Sequence, residues 1–386
     1  MRVVIVVPGG VGADGLHEVI PALLSLIRRL AGAHDVLVVA TAQAAAPSAY
    51  QLAGATVLAL GRGRRSLPGR LRTGRAAISA IRSFRPDVIH AFWLGPSSTV
   101  AILAGRLAGV PVVASVGGSE LVSLPRIAYG GARTVRGRAH VSLALRCAAA
   151  VTGGSRWALA PLLGRRPDAR WLLLGAERDT EPRSNANEPA PNPEATPDRP
   201  FRLVVAASIN RVKGPDIVLG ALARARATLG EAVELEWLGE DTLGGSSAAL
   251  ARALRVDDIV SFAGFRLHEA VRAAWRRADL AVQGSYHESQ GVAILEAAAA
   301  GVPTVGTAVG LVAELAQDEP AAAVAVPVGD PAALGDAIVA LARDPDLRTR
   351  LGTAARAWAE RHDADWTAAA VESIYAEVTT GRPSRR

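Results

Sequence analysis

Two acidic residues, Glu288 and Glu296, stand in an otherwise apolar stretch that spans residues 284–310. The apolar run 280–282 is predicted to be a strand, and the apolar segment 292–300 is predicted to be a buried helix. The first glutamate therefore falls in the turn between strand and helix, and the second falls on the helix. This arrangement makes the stretch a candidate active site, although each glutamate alone also fits a helix-dipole or surface role.

The turn before this helix is a predicted anion site. The backbone N–H groups of Ser289, Gln290 and Gly291 come at the helix N-terminus, where unpaired donors and the helix dipole favour a group such as a phosphate. Ser285 and Ser289 are the candidate side-chain caps. The pattern thus predicts phosphate binding next to Glu288.

The spacing of the two glutamates carries a resemblance to a known family. Glu288, seven intervening residues, Glu296, the segment GVPTVGTAVG and Glu314 resemble the signature of the retaining glycosyl transferases group 1 family, glycosyltransferase family four. The resemblance implies that Glu288 is catalytic and contacts the donor sugar, while Glu296 holds the ribose hydroxyls of a nucleotide sugar. A carboxylate suits the ribose because its two oxygens accept from two neighbouring hydroxyls.

Lys213 is the only lysine among 43 basic residues, which fits either a site that needs a compact ammonium rather than a planar guanidinium or a single lysine left by codon drift. Lys213-Gly214 also matches a family motif, which implies that this lysine binds the donor diphosphate and assists catalysis. Ser208 stands where the family usually has an arginine, so Arg211 is the candidate for the same phosphates. The segment 257–265 resembles the family's strand and turn beside the nucleotide base, which implies that Gly264 lets the backbone come close to the base.

A glycine-rich loop, residues 9–15, follows the first predicted strand. Its pattern fits G-x-G-x-x-G, but a dinucleotide site also wants an acidic residue after the second strand, 36–40, and none is present there. The family resemblance instead implies a loop that approaches the donor diphosphate, with Gly9 and Gly10 as its contacts. A loop that needs glycine only for its backbone remains an alternative.

Four further residues are candidates for the sugar or acceptor side. His90 ends a predicted strand, where open α/β sheets bind ligands, so we predict a catalytic role, with core packing as the alternative. Trp93 follows it and fits either packing or sugar contact. The segment GGSEL resembles a family segment that often begins with histidine, but Gly117 stands in that place, while Glu120 matches the acidic position. Whether His17 or His90 replaces the missing polar group stays open.

Strands alternate with helices along the chain, which indicates α/β domains with parallel sheets covered on both faces. The length of 386 residues favours two domains. The resemblance implies two Rossmann-like doubly wound domains that face across a cleft, the GT-B fold. We predict an acceptor-side domain at 1–178, a linker or exposed loop at 179–200, a nucleotide-sugar domain at 201–362 and a helix at 363–380 that returns to the first domain.

Charge is unevenly divided, with 22 basic and 7 acidic residues in 1–178 and 21 basic and 29 acidic residues in the remainder. The basic half suits an anionic acceptor or a membrane surface. Nucleic acid is disfavoured because the arginine-rich loop 61–75 has no interleaved aromatic residues. No transmembrane segment or signal peptide is recognisable, which predicts a cytoplasmic protein; whether it binds the inner face of the membrane stays open.

Two Asp-x-Asp segments, beginning at Asp344 and Asp363, imitate a metal motif, but both precede predicted helices, where helix capping is the ordinary role. We therefore predict no metal and no other cofactor. The resemblance implies a retaining, metal-independent glycosyltransferase that uses a UDP- or GDP-sugar as donor; its acceptor, in cell-envelope polysaccharide, glycolipid or small-molecule glycoside synthesis, stays open. The alternatives are a sugar-nucleotide epimerase of the same fold and a non-catalytic sugar-binding protein.

Overall fold

The computed structural model describes residues 1–43, 46–61, 67–181 and 199–380. Most of the predicted linker 179–200 and part of the arginine-rich loop 61–75 lie outside the described residues. The chain divides into two compact units. Unit 1 comprises Met1–Gly175 and the C-terminal segment from Ala364, and unit 2 comprises Ala176–Asp363.

Unit 1 is built on an eight-stranded sheet in the order β3-β4-β2-β1-β5-β6-β7-β8. All neighbouring strands are parallel except the antiparallel pair β3 and β4. The strands are β1 (Arg2–Val7), β2 (Asp35–Ala40), β3 (Ser48–Leu52), β4 (Ala55–Ala59), β5 (Val88–Phe92), β6 (Val112–Val116), β7 (Ala150–Gly153) and β8 (Arg170–Trp171). The helices of its first segment are α1 (Pro21–Ala33), α2 (Leu67–Phe84), α3 (Pro96–Ala108), α4 (Val135–Cys147) and α5 (Arg156–Leu159).

Unit 2 is built on a six-stranded, fully parallel sheet in the order β11-β10-β9-β12-β13-β14. Its strands are β9 (Phe201–Ala206), β10 (Val233–Leu238), β11 (Val260–Gly264), β12 (Leu280–Gln283), β13 (Thr304–Thr307) and β14 (Val324–Val326). Its helices are α6 (Pro215–Leu229), α7 (Ser246–Ala253), α8 (His268–Arg277), α9 (Val292–Ala299), α10 (Gly310–Leu315), α11 (Pro331–Arg343) and α12 (Pro345–Arg361).

The last helix, α13 (Ala364–Thr380), belongs to unit 1. Val371, Ile374 and Tyr375 are buried in the same apolar cluster as the residues of β1. At its first turn, Asp365 accepts a 2.6 Å hydrogen bond from Nε of Arg29 on α1. The C-terminal helix therefore completes the core of the N-terminal sheet.

Central strands such as β1 and β5 are buried on both faces, as their continuous apolar sequences require in a parallel sheet. The prediction of two α/β units with parallel sheets is confirmed. One helix begins later than its pattern predicts: residues 18–30 have helical spacing, but Glu18 has a φ of 50° and α1 begins at Pro21. Proline fits there because the first helical residue needs no N–H partner.

Each sheet reverses its strand order at one point, and loops at such a point form a crevice where α/β proteins bind ligands. In unit 1 the reversal lies between β1 and β5, and in unit 2 it lies between β9 and β12. The loops that follow these four strands carry most of the predicted site residues. Within the described residues, no helix combines the length and apolarity that crossing a membrane requires.

Candidate active site

In unit 2, the loops after β9 and β12 lie in direct contact. Gly214 has a φ of +61°, and a Cβ atom added there would lie 2.1 Å from the carbonyl oxygen of Gly284. The N–H of Tyr286 donates to the carbonyl of Val212 over 2.8 Å. Only glycine permits both the left-handed backbone and this approach. The two predicted motifs are thereby held side by side.

This contact brings Lys213 to Glu288, although the two are 75 residues apart. The Lys213 Nζ donates to the Glu288 Oε1 over 2.5 Å, and the Ser285 hydroxyl donates to the same oxygen over 2.8 Å. The Glu288 side chain is 13 % exposed and that of Lys213 is 27 % exposed. The ion pair and the second hydrogen bond fix the orientation of the Glu288 carboxylate at the carboxyl-terminal ends of β9 and β12.

The same ammonium can bind more than Glu288. Lysine has three N–H donors, and among the described residues the side chain of Lys213 uses one of them. Its backbone is fixed by Asn210, whose Oδ1 accepts from the Lys213 N–H over 3.2 Å. The main chain at Lys213 is therefore held in place, and the ammonium keeps N–H donors beyond the one that Glu288 accepts.

The N-terminus of α9 follows the Glu288 turn as predicted, but its capping differs from the prediction. The N-cap is Gly291, with a φ of 94°, and no side chain caps the helix. The capping role predicted for Ser285 and Ser289 is therefore wrong, and Ser285 instead donates to Glu288. Ser289 and Gln290 are buried in the turn.

The segment after α9 supports the Glu288 turn from the other side. Gly310 has a φ of +56°, and a Cβ atom there would meet the Gln290 carbonyl oxygen at 2.6 Å and the Glu288 Cβ at 2.8 Å. The N–H of Leu311 donates to the Gln290 carbonyl over 2.7 Å. The glycine-rich motif after α9 thus packs α10 tightly against the turn that carries Glu288.

Glu296 has a partner that the sequence did not reveal. Its Oε1 lies 3.0 Å from Nε2 of His268, the first residue of α8. This hydrogen bond raises the pKa of His268 above its ordinary value, against the opposite effect of burial. No sequence pattern relates positions 268 and 296, so sequence reasoning missed His268. Gly264, predicted near the base, ends β11 with a φ of 68°, and Arg211 is exposed beside Lys213.

In unit 1, the loop of Gly9 and Gly10 is held by Gln43 at the end of β2. The Gln43 Oε1 accepts from the Val11 N–H over 3.0 Å, and a Cβ atom on Gly9 would lie 3.0 Å from that oxygen. The Gln43 Nε2 donates to Glu18 over 3.0 Å. An amide, not a carboxylate, therefore supports this loop, which agrees with the absence of an acidic residue after β2.

His17 lies in an exposed turn, where its Nδ1 is 2.6 Å from a carboxylate oxygen of Asp14. Hydrogen bonds from the backbone N–H groups of His17 and Leu16 lower the pKa of Asp14. The contact between the His17 ring and Asp14 lies within one turn.

His90 is fully buried. Its Nδ1 lies 2.8 Å from the hydroxyl of Tyr375 on α13, and its Nε2 lies 2.7 Å from the hydroxyl of Ser115. Burial lowers the pKa of His90 to about 3, so the ring is neutral. Since both ring nitrogens are engaged within the core, the predicted catalytic role is wrong, and His90 links β5, β6 and α13.

Trp93 explains why Gly117 stands where the family often has histidine. A Cβ atom added to Gly117 would lie 0.9 Å from Cδ1 and 1.5 Å from Nε1 of Trp93. The indole therefore occupies the volume that any side chain at position 117 would need. Trp93 holds this position with a φ of +68° and an N–H bonded to the Ser115 carbonyl over 2.9 Å. Neither His17 nor His90 fills this volume.

Glu120 joins the loops after β5 and β6. Its Oε1 accepts from the backbone N–H groups of Leu94, over 2.8 Å, and Gly117, over 3.0 Å. The residue is 9 % exposed, and its Oε2 has no hydrogen-bond partner within the part of the chain that the structure describes. Glu120 thus has a structural role, with one carboxylate oxygen binding two backbone N–H groups and the other buried.

We expect Gly117→Ala to destabilise unit 1 by about 1–3 kcal/mol, because the new methyl group overlaps the Trp93 ring. The loss should shrink in a Trp93→Ala background, where the ring is absent. Urea denaturation followed by circular dichroism measures both. Gly164→Ala is the matched control, since residue 164 is exposed and nothing lies within 4 Å of a Cβ there. Equal losses in the two backgrounds would contradict the steric explanation.

Both units of the chain match known protein families. The family model of the glycosyl transferases group 1 matches residues 187–358, and the model of the glycosyl transferase 4-like domain matches residues 19–175. The two matches together take in most of each unit. The chain belongs to the glycosyl transferases group 1 family. The family prediction made from Glu288 and Glu296 is therefore confirmed.

Curated relatives share modest identity with this glycosyltransferase. The D-inositol 3-phosphate glycosyltransferase of Xylanimonas cellulosilytica is 28 % identical over 414 residues, covering 98 % of this chain and 95 % of the relative. That of Kribbella flavida is 27 % identical, covering 96 % and 92 %. That of Streptomyces bingchenggensis is 33 % identical over 46 % of this chain and 40 % of the relative.

Solved structures share the fold of this glycosyltransferase at low identity. Sucrose-phosphate synthase from Thermosynechococcus elongatus has a TM-score of 0.78 at 18 % identity, covering 99 % of both chains. Anabaena Alr3699/HepE in complex with UDP and glucose has a TM-score of 0.74 at 18 % identity, covering 97 % of this chain and 99 % of the other. These likenesses confirm the GT-B fold class.

The Asp-x-Asp segment that begins at Asp344 has a helix-capping role. Asp344 Oδ1 accepts from the Leu347 N–H over 2.7 Å and caps α12. Across the described residues, no three His, Cys, Asp or Glu side chains form a group that could hold a metal ion.

Proposed function

We propose that this glycosyltransferase moves a sugar from a nucleoside diphosphate sugar, bound on unit 2, to a hydroxyl group of an anionic acceptor. Transfer retains the anomeric configuration and needs no metal ion or other cofactor. The observation that carries the proposal is the contact of Lys213 with Glu288 at the point where the unit 2 sheet reverses its strand order. There a fixed cation and a fixed carboxylate stand 2.5 Å apart beside a helix N-terminus.

The proposed donor pose follows from the charges around this point. The diphosphate lies against the Lys213 ammonium and the N-terminus of α9, both of which attract anions. The ribose hydroxyls bind Glu296, and the base lies beside Gly264, where a side chain would meet nothing within 4 Å. The sugar then lies next to Glu288. UDP is the first nucleotide to test because structures of the same fold bind it.

The proposed reaction needs no separate base. The bond between the sugar's anomeric carbon and the β-phosphate oxygen breaks, and the diphosphate leaves with that electron pair. The acceptor oxygen forms the new bond to the same face of the anomeric carbon, and its proton passes to the departing phosphate oxygen. Lys213 and the α9 N-terminus stabilise the charge that develops on the diphosphate, the part that a metal ion has in other transferases. Glu288 stabilises the positive charge that develops on the sugar.

The basic surface of unit 1 supports an anionic acceptor. Four exposed arginines lie between β6 and the first turns of α4, and in the described chain none of them forms an ion pair with a carboxylate: Arg126, Arg133, Arg136 and Arg138. The three relatives compared above are all named D-inositol 3-phosphate glycosyltransferase. A small phosphorylated polyol is therefore the acceptor class that we propose.

We expect release of the nucleoside diphosphate to depend on a phosphorylated acceptor. The protein is incubated with a panel of UDP-, GDP-, ADP- and TDP-sugars, with D-inositol 3-phosphate, with myo-inositol or with no acceptor, and released nucleotide is measured by chromatography. Myo-inositol is the matched control because it lacks only the phosphate, and it should react far less. Release without any acceptor indicates an epimerase or hydrolase, and no release with any donor indicates a binding protein; either result contradicts the proposal.

A further inference from the structure

The side chain of Glu296 depends on one neighbour for its orientation. His268 Nε2 lies 3.0 Å from Glu296 Oε1, and within the described residues this is the hydrogen bond that the Glu296 carboxylate makes. Glu288, by contrast, accepts from both Lys213 and Ser285. The Glu296 side chain is 13 % exposed, so the contact is largely shielded from water.

The contact joins α8 to α9. His268 starts α8, directly after the loop that carries Gly264, and Glu296 lies in the middle of α9. The His268 side chain is 34 % exposed, which leaves it within reach of solvent and of a bound ligand. The charged groups facing His268 besides Glu296 are Glu269 and Arg272 of its own helix.

The geometry points to His268 as a positioning residue for nucleotide binding. It donates Nε2–H to Glu296 Oε1 and thereby fixes the carboxylate so that its remaining lone pairs face the two ribose hydroxyls. This inference rests on the proposed function, in which Glu296 binds the ribose. A freely rotating glutamate would lose side-chain entropy on binding, whereas one that is held in advance does not.

The test uses ligands that differ only in the ribose hydroxyls. Calorimetry measures the dissociation constants of UDP and 2′,3′-dideoxy-UDP for the wild type, His268→Ala, His268→Gln and Glu296→Gln, with the GDP pair in parallel. We expect His268→Ala to weaken UDP binding about tenfold, the size of one lost hydrogen bond to a charged group, and to leave the dideoxy analogue unchanged. His268→Gln retains an N–H donor at similar reach and should recover most of the affinity.

A double variant of His268 and Glu296 distinguishes a positioning role of His268 from a role in stabilising the fold. In a Glu296→Gln background, His268→Ala should add little further loss, because it acts through the carboxylate. Leu267→Ala, at the exposed preceding residue, controls for damage to the start of α8. Equal losses for UDP and its dideoxy analogue, or additive losses in the double variant, overturn the inference alone. A folded wild type that binds none of UDP, GDP, ADP and TDP overturns the proposed function and this inference with it.

Discussion

Lys213→Ala is expected to weaken nucleoside diphosphate binding by about 10- to 150-fold, which corresponds to the loss of about 1.5–3 kcal/mol from one charge-assisted contact. The reason is electrostatic. The substitution removes the cation that faces the diphosphate in the proposed pose, and it leaves Glu288, 13 % exposed, as an uncompensated negative charge beside it. Calorimetry with UDP and GDP measures the change.

Two variants make this result specific to Lys213. Lys213→Arg should recover only part of the affinity, since a planar guanidinium cannot donate to both Glu288 and the diphosphate in the geometry of an ammonium. Arg343→Ala removes an exposed positive charge at the end of α11 and should leave binding unchanged. An unaltered dissociation constant for Lys213→Ala would show that the diphosphate binds elsewhere.

Glu288→Gln and Glu296→Gln are expected to damage different steps. Glu288→Gln should lower kcat on the order of 10²-fold, the usual effect of losing one preorganised electrostatic group, and should leave free nucleotide affinity nearly intact. Glu296→Gln should weaken the binding of free nucleotide about tenfold or more, because the ribose loses a charged acceptor. Steady-state kinetics and calorimetry with the free nucleotide separate the two.

Each of these two variants controls for the other, since both replace a half-buried carboxylate by an amide of the same shape. The proposed assignment of Glu288 to the sugar and Glu296 to the ribose requires that the two variants differ. Indistinguishable behaviour, or no effect of either on nucleotide affinity, would show that the assignment is wrong.

Much of unit 2 could be predicted because its signals are local. The two apolar strands, the glycines that follow them and the charged residues next to those glycines are readable in short windows, for Lys213-Gly214 and for the Glu288 turn alike. Parallel strands then bring their carboxyl ends to one edge of the sheet, so motifs far apart in sequence can meet. The nearness of the two loops follows from those rules, whereas the 2.5 Å contact of Lys213 with Glu288 is visible only in the structure.

The roles of His90, Gly117 and His268 could not be predicted because they depend on contacts between residues that are far apart in the sequence. His90 ends its strand as a ligand-binding residue would, but Tyr375, 285 residues later, packs over it and makes it a core residue. Gly117 departs from the family segment because the Trp93 ring occupies the volume that a side chain at position 117 would need. His268 likewise needs α8 and α9 to be packed before its relation to Glu296 is visible.

The most direct test of the proposed function is proton NMR of the reaction in EDTA, with the most active nucleotide sugar and D-inositol 3-phosphate. We predict that the product's anomeric proton has the same configuration as that of the donor, and that EDTA leaves the rate unchanged. Fixed positive groups at Lys213 and the α9 N-terminus then suffice to stabilise the leaving diphosphate. An inverted product, or activity that disappears in EDTA and returns with magnesium or manganese, would contradict the proposed mechanism.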